Sequence, residues 1–205
     1  MLLKWFIFYY LRLRVDYTIM NTEHFWEALE DGRSAFHSLG LPFFIIDGTA
    51  LGFHRDGTFI PYDNDIDVGT MYTDIIKISS FDFCLAMSRH NFILKHDYGT
   101  TDHGKVLTFS HKERVPFDIY FFYREEDYYY AATYGDICDL KKYGKCRFKY
   151  SLASLNCEQI ILRGKDYQIV PMTYIKEMYG PTWNIPLRQD YHERLVSGYF
   201  NMIDE

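Results

Sequence analysis

The sequence has no hydrophobic run long enough to cross a membrane. Its longest uninterrupted apolar segment, Trp5–Leu11, has seven residues, whereas a membrane-spanning helix needs about 20. Lys4, Arg12 and Arg14 flank this segment, a pattern typical of an amphipathic strand or of an interfacial segment. We therefore expect residues 1–20 to form an apolar and basic N-terminal segment. It would be the remnant of a longer anchor or a segment that associates with a membrane surface.

Cysteine is scarce as well. Cys84, Cys138, Cys146 and Cys157 form no C-x-x-C pair, and no histidine lies between the second and the fourth of them. A structural zinc site needs four ligands, so this class of site is disfavoured. Two states stay open, reduced thiols, which we favour, and one disulfide in a secretory lumen. The chain also lacks an N-x-Ser/Thr acceptor, which argues mildly against a lumenal glycoprotein.

The chain has fewer basic residues than acidic residues. The chain has 22 Lys and Arg against 28 Asp and Glu, a net charge of −6. A protein that binds a phosphate backbone needs a basic stripe, so we expect no nucleic-acid partner. An acidic balance instead suits a protein that gathers divalent cations. Aromatic residues are abundant, at 19%, which fits a strand-rich core or, alternatively, a groove that stacks sugars or bases.

Hydrophobic residues recur at helical spacing early in the chain and at every second position later, and this change predicts an α+β fold. Helical spacing with capping residues predicts helices at 22–39, 50–54, 73–90 and 171–179. Apolar runs and a period of two predict strands at 42–46, 92–95, 105–109, 117–123 and 128–133, and a hairpin at 158–170. A basic loop is expected at 141–149. Residues 21–205 should form a single domain, with a mixed sheet, flanking helices and additional antiparallel strands.

The most informative pattern is Asp65-Ile66-Asp67-Val68. Alternate residues of a strand share a face, so the two aspartates would project together while Ile66 and Val68 enter the core. Adjacent carboxylates repel each other unless a cation lies between them. Mg²⁺ and Mn²⁺ are typically held by one or two carboxylates together with substrate phosphates. The pattern therefore predicts a metal site that a phosphorylated ligand completes.

Three other interpretations of this acidic segment compete. An EF-hand loop would start at Asp63, but it needs Gly and Glu where the chain has Val68 and Asp74. A solvated acidic turn fits poorly with the alternation of apolar residues, which favours a sheet. The Asp-x-Asp of a sugar-nucleotide glycosyltransferase uses the same metal chemistry, and the acidic pattern alone leaves it open.

A candidate phosphate-binding turn precedes the acidic segment. Gly48-Thr49 lies between a predicted strand and a predicted helix, where backbone N–H groups and a hydroxyl at a helix N-terminus can cradle a phosphate. Gly52 belongs to the same element, and Arg55 supplies a forked cation for the same phosphates. A Gly-Ser/Thr turn followed by two alternating aspartates is typical of the nucleotidyltransferase-like fold.

The segment from Asp47 to Gly69, DGTALGFHRDGTFIPYDNDIDVG, resembles the LicD/fukutin family. In that family a G-T-x-L-G-x-x-R element precedes I-P-[WY]-D-x-D-[IV]-D. Two later segments are similar to family motifs, PFDIYFF at 116–122 and YGPTWNIP at 179–186. The resemblance covers roughly 40–190. Tyr62 and the aromatic strand are closer to the eukaryotic fukutin branch than to the bacterial choline-phosphate branch.

The resemblance implies a nucleotidyltransferase-like fold and a metal-dependent phosphotransferase. Such an enzyme moves an alcohol phosphate, of ribitol 5-phosphate or phosphocholine type, from a CDP-linked donor to a glycan or sugar acceptor and releases CMP. By carry-over, Asp65, Asp67 and Asp118 hold Mg²⁺ or Mn²⁺, and Asp63 acts as a base or as an orienting group. For Asp118 a buried salt bridge is the competing interpretation. The donor would be bound by Gly48, Thr49, Gly52 and Arg55.

Two alternative functions stay open. A true nucleotidyltransferase would attach NMP to a small molecule and release pyrophosphate. A non-catalytic relative would bind glycan without metal-dependent binding of a CDP-alcohol. The eukaryotic branch usually carries a membrane anchor, so the resemblance implies residence in a Golgi or secretory-pathway membrane; without that likeness we expect the cytoplasm.

Overall fold

A computed structural model describes residues 21–101, 103–134, 145–186 and 201–203. The predicted N-terminal segment, 1–20, lies outside the described residues. Within the described ranges, no helix has the length and apolar character needed to span a bilayer. Cys84 and Cys157 are both free thiols.

Helices and strands alternate early in the chain, and strands dominate its second half. Helices α1 to α5 comprise Thr22–Ser38, Asp47–Asp56, Tyr72–Ile75, Ser80–Arg89 and Met172–Tyr179. Strands β1 to β5 comprise Phe44–Ile45, Ile66–Met71, Phe92–Thr100, His103–His111 and Val115–Arg124. Strands β6 to β10 comprise Tyr128–Tyr134, Lys145–Ser151, Glu158–Leu162, Lys165–Ile169 and Asn201–Ile203.

The ten described strands form one mixed sheet. Its order is β10-β7-β6-β5-β2-β1-β9-β8, and β4 pairs with both β3 and β5. Strand β2 runs parallel to β5, and β1 runs parallel to β9. The remaining pairs are antiparallel. The predicted α+β class, with a mixed sheet and flanking helices, is therefore confirmed.

The centre of the sheet is an apolar layer. Ile66 and Val68 of β2, together with Phe117 and Ile119 of β5, are completely buried. Helix α1 packs closely on β5 at Gly32, where an added Cβ would lie 2.7 Å from Cζ of Phe117. Because successive strand residues point to opposite faces, this packing fixes where the intervening polar residues of β2 and β5 project.

Three predicted elements differ from the structure. The single helix predicted at 73–90 is wrong, because Ser79 starts a new helix, α4, by accepting a hydrogen bond from the Asp82 N–H. The helix predicted at 50–54 begins earlier, at Asp47, so the Gly48-Thr49 turn is its first turn. The loop predicted at 141–149 is wrong from Lys145 onward, where β7 forms; residues 141–144 lie outside the described ranges.

Candidate active site

A cavity of about 440 Å³ lies between α2, the loop at 60–65 and strands β5 to β7. Part of its wall is acidic and contains Asp47, Asp63, Asp65 and Asp67. Another part is aromatic and contains Tyr120, Phe122, Phe148, Tyr150 and Tyr179. Pockets that combine a few converging polar groups with an apolar lining are typical ligand sites. This one suits a ligand with both charged and ring-bearing parts.

Three aspartates from two distant segments come together beside this cavity. Strand β2 begins at Ile66, so Asp65 precedes the strand and does not lie within it as predicted. Asp67 and Asp118 are direct neighbours in the parallel register of β2 and β5. One carboxylate oxygen from each of the three lies within 4.8 Å of the other two. The predicted proximity is confirmed, and the role of these residues as metal ligands stays a prediction.

Two members of the acidic triad, which consists of Asp65, Asp67 and Asp118, have raised pKa values. Burial raises the pKa of Asp67 well above its ordinary value, and the charge of Asp65 raises it further. Burial also raises the pKa of Asp118 to about 6, while a hydrogen bond from Thr108 acts in the opposite direction. Oδ1 of Asp118 is buried and has no hydrogen-bond partner within the described ranges. An orphaned buried oxygen beside two more carboxylates fits a divalent cation with hard oxygen ligands.

Gly48 and Thr49 support the acidic segment in different ways. The Thr49 hydroxyl accepts a hydrogen bond of 3.0 Å from the Asp67 N–H, and Thr49 is buried. Thr49 therefore ties α2 to β2, and it does not line the cavity. The sequence predicts a contact between Thr49 and a phosphate. Gly48 does line the cavity. A Cβ on Gly48 would lie 2.5 Å from Oδ2 of Asp63, so Asp63 can approach the helix only because residue 48 has no side chain.

Arg55 and Gly52, the other two residues predicted to bind the donor, occupy different positions relative to the cavity. Arg55 lines the cavity, and its guanidinium is held by Asp56 at 2.7 Å. That hydrogen bond raises the pKa of Arg55 above its ordinary value. Gly52 packs against the loop that follows α2, since a Cβ there would lie 2.6 Å from the Thr58 carbonyl oxygen. Arg55 is thus within the cavity wall, whereas Gly52 permits close packing behind it.

Asp47 and Tyr174 are residues that sequence reasoning misses. Asp47 lines the cavity, and it accepts a hydrogen bond of 2.6 Å from the Tyr174 hydroxyl. The available signal for Asp47 was an acidic residue directly before the Gly48-Thr49 turn. Tyr174 carried no signal, because it lies 127 positions from Asp47 in the sequence. Many aromatic residues lie in the core, as the preferred interpretation expects, and the alternative of a ring-stacking groove stays a prediction.

Sequence comparisons identify relatives of this chain. A family model described as "LicD/FKTN/FKRP, nucleotidyltransferase domain" matches residues 40–159. The ribitol-5-phosphate transferase FKTN of Macaca fascicularis is 31% identical over 164 residues, which are 79% of this chain and 33% of that protein. The proteins of the same name from Homo sapiens and Mus musculus are 30% and 32% identical, with the same shares covered. This chain therefore spans about a third of the length of the curated relatives it matches.

A comparison of structures finds ANT(2″)-Ia in complex with adenylyl-2″-tobramycin. The TM-score is 0.46 and the sequence identity 14%, over 74% of this chain and 71% of that chain. The sequence matches carry the assignment without it. The family model matches more than half of the chain, including Gly48, Asp65, Asp67 and Asp118. The chain therefore belongs to the LicD/fukutin family.

Proposed function

We propose that this protein is a metal-dependent phosphotransferase. It moves an alcohol phosphate from a CDP-linked donor to a glycan or sugar acceptor and releases CMP. Ribitol 5-phosphate is the first candidate for the transferred group, because the curated relatives are named ribitol-5-phosphate transferases. Phosphocholine is the second candidate, because the bacterial branch of the family transfers it.

The observation that carries this proposal is the acidic triad beside the cavity. The triad offers three carboxylate oxygens within 4.8 Å of one another, one each from Asp65, Asp67 and Asp118. Oδ1 of Asp118 has no hydrogen-bond partner among the described residues. These residues would hold Mg²⁺ or Mn²⁺. A bound divalent cation would neutralise the donor diphosphate and stabilise the charge that develops during transfer. None of the ion pairs found among the described residues includes Asp118, so a buried salt bridge, the competing interpretation, gains no support there.

The other polar residues of the cavity would bind the donor and handle the proton. Gly48 lies at the start of α2 and lines the cavity, so its backbone can approach the donor phosphates as helix N-termini do. Arg55 lines the same cavity and would contribute positive charge. The acceptor oxygen forms a bond to the phosphorus that carries the alcohol, and the bond from that phosphorus to the bridging oxygen breaks. CMP leaves with that electron pair, and Asp63 receives the hydroxyl proton.

A panel of CDP-alcohols tests this function. The full chain is incubated with CDP-ribitol or CDP-choline, a glycan acceptor, and Mg²⁺ or Mn²⁺. We expect CMP and a phosphoalcohol-modified glycan, and we expect a chelator to stop the reaction. Incubation with nucleoside triphosphates serves as the comparison arm.

Three results would contradict the proposal. Pyrophosphate release in the triphosphate arm would favour a true nucleotidyltransferase. Glycan binding without any metal-dependent binding of CDP-alcohols, measured by calorimetry, would favour a non-catalytic relative. Full activity in the presence of a chelator would exclude the metal-dependent mechanism while leaving the transferase class intact.

A further inference from the structure

Helix α5 contributes Tyr179 to the cavity wall, and a buried hydrogen bond from Tyr174 ties it to the same wall. The Tyr174 hydroxyl donates to Oδ1 of Asp47 at 2.6 Å, and Tyr174 is completely buried. Its ring stacks on Tyr150 at 5.1 Å with an interplanar angle of 11°, and Tyr150 lines the cavity. Tyr174 lies outside the residues that the family model matches, 40–159. A part of the chain beyond that match therefore contacts the cavity wall.

Asp47 has an unusual backbone at the first residue of α2. Its φ angle is 45°, in the left-handed region that is unfavourable for residues other than glycine. Asp and Asn tolerate this region better than most side chains. The residue directly after Asp47 is Gly48, which lines the cavity and faces Asp63. The direction of the Gly48 backbone thus depends on the strained conformation of Asp47.

The Tyr174–Asp47 hydrogen bond opposes this strain. It fixes the Asp47 side chain from a fully buried donor, so the left-handed backbone is held by packing around α5. Loss of this bond would remove one contact that holds the Asp47 side chain, so residue 47 would leave the left-handed region more easily. The first turn of α2, including Gly48, would then move relative to the carboxylates of the cavity.

We propose that Tyr174 is a positioning residue, which acts through Asp47 to hold the first turn of α2 in its binding geometry. The catalytic part of this inference rests on the proposed phosphotransferase function. Tyr174 touches no substrate in this scheme. It fixes the position of the backbone N–H groups in the first turn of α2, which bind the donor phosphates.

Replacement Tyr174→Phe removes the hydroxyl and keeps the ring that stacks on Tyr150. We expect kcat/KM for the CDP-alcohol to fall about tenfold or more, because a hydrogen bond to a charged group is lost. Most of the change should lie in KM for the donor, because phosphate contacts are affected more than the reacting groups. Tyr167→Phe is the matched control. Its hydroxyl is buried and has no partner within the described ranges, so activity should stay within about twofold of wild type.

Two replacements of Asp47 separate backbone positioning from charge. Asp47→Asn keeps an oxygen acceptor for Tyr174 and tolerates the left-handed region, whereas Asp47→Ala loses both properties. We expect Asp47→Asn to retain at least about five times the activity of Asp47→Ala. The double variant Asp47→Ala, Tyr174→Phe should be no more than about twofold worse than Asp47→Ala, because the two residues act as one unit.

Hydrogen exchange gives a readout that does not require activity. The Ala50 N–H bonds to the Ile46 carbonyl oxygen at 2.8 Å in the first turn of α2. Its exchange should become about tenfold faster or more in Tyr174→Phe and Asp47→Ala, and should stay unchanged in Tyr167→Phe. If wild type is inactive on CDP-alcohols, the proposed function fails and this exchange rate still decides the role of Tyr174.

Two outcomes would overturn the inference. The first is a Tyr174→Phe variant that matches Tyr167→Phe in both activity and Ala50 exchange. The second is an Asp47→Asn variant as inactive as Asp47→Ala with unchanged Ala50 exchange, since the Asp47 charge would then act on the ligand directly.

Discussion

Within the acidic triad, Asp65 is the residue least involved in the fold. It precedes β2 and is only half-buried, whereas Asp67 lies in the strand and is buried. Burial is the main cause of the raised pKa values of Asp67 and Asp118, and the charge of Asp65 adds to both. A substitution at Asp65 therefore changes the charge of the triad without disturbing the core.

Replacement Asp65→Asn should lower CDP-alcohol turnover by more than about a hundredfold. Residues that merely support metal ligands already cost about 10–100-fold when they are lost. The unfolding midpoint should be unchanged or higher, because a like charge is removed. CMP release and thermal unfolding measure the two effects. The control is Asp127→Asn, which changes an exposed turn residue. Near-normal turnover of Asp65→Asn would contradict the proposed role of Asp65 as a metal ligand.

Replacement Gly48→Ala tests the close approach of Asp63 to α2. The new Cβ would lie 2.5 Å from Oδ2 of Asp63, so one of the two must move. We expect a loss of about 1–3 kcal/mol in the free energy of unfolding, as in other overpacked sites, together with a loss of turnover. Denaturant unfolding of Gly48→Ala, Asp63→Ala and the double variant measures the effect. The double variant should regain stability over Gly48→Ala; if it does not, the two residues are not in conflict.

Between α3 and α4, a helix cap determines the structure more strongly than hydrophobic spacing does. The Ser79 side chain accepts the Asp82 N–H at 3.1 Å, and this bond starts α4. Ser79→Ala should lower the free energy of unfolding by about 1 kcal/mol, the usual contribution of such a cap. Chemical denaturation measures it, with Ser88→Ala, an exposed residue of the same helix, as the control. Equal stability of the two variants would contradict the capping role.

The sequence predicts those elements whose signal lies within a few neighbouring residues. The alternation of Asp65, Ile66, Asp67 and Val68 correctly predicts a buried strand that contains Asp67, although Asp65 lies just before its first residue. The start of α2 at Asp47 was not predictable, because Asp, Gly and Thr are also typical turn residues. Strand β7 has a strand signal within the basic segment that predicts a loop. Charged residues at 145, 147 and 149 alternate with Phe148 and Tyr150, which are both buried.

Contacts between distant segments explain what remained hidden. The bond between Thr49 and the Asp67 backbone ties α2 to β2, a role that the sequence does not predict for Thr49. The bond between Tyr174 and Asp47 joins residues 127 positions apart. Neither contact leaves a periodic pattern, so only the packed chain reveals it.

At the scale of the whole molecule, the raised pKa of Asp118 links stability to pH. Its pKa is about 6 in the folded chain against an ordinary value of 3.8, so the folded state binds this proton more tightly. This contribution to stability is complete below about pH 4 and is lost as the pH rises through about 6. The metal-free protein should therefore become more stable, not less, on mild acidification.

Thermal unfolding in the presence of a chelator tests this expectation. Between pH 7.5 and pH 5.5 we expect the midpoint to rise by about 2–4 °C, which corresponds to about 1 kcal/mol for a chain of this size. Asp118→Asn should show a smaller rise. Mn²⁺ should raise the midpoint at pH 7.5, and less so at pH 5.5, because protons compete for the same oxygens. A midpoint that falls equally in both proteins on acidification would contradict the assignment.

The parallel pairing of β2 with β5 has a consequence for assembly. Parallel strands cannot be joined by a tight turn, and here the connection contains two helices and the β3–β4 hairpin. The join that aligns Asp67 with Asp118 is therefore a long-range closure that also brings like charges close together. A divalent ion bound at that join would offset this repulsion and would stabilise the pairing of β2 with β5.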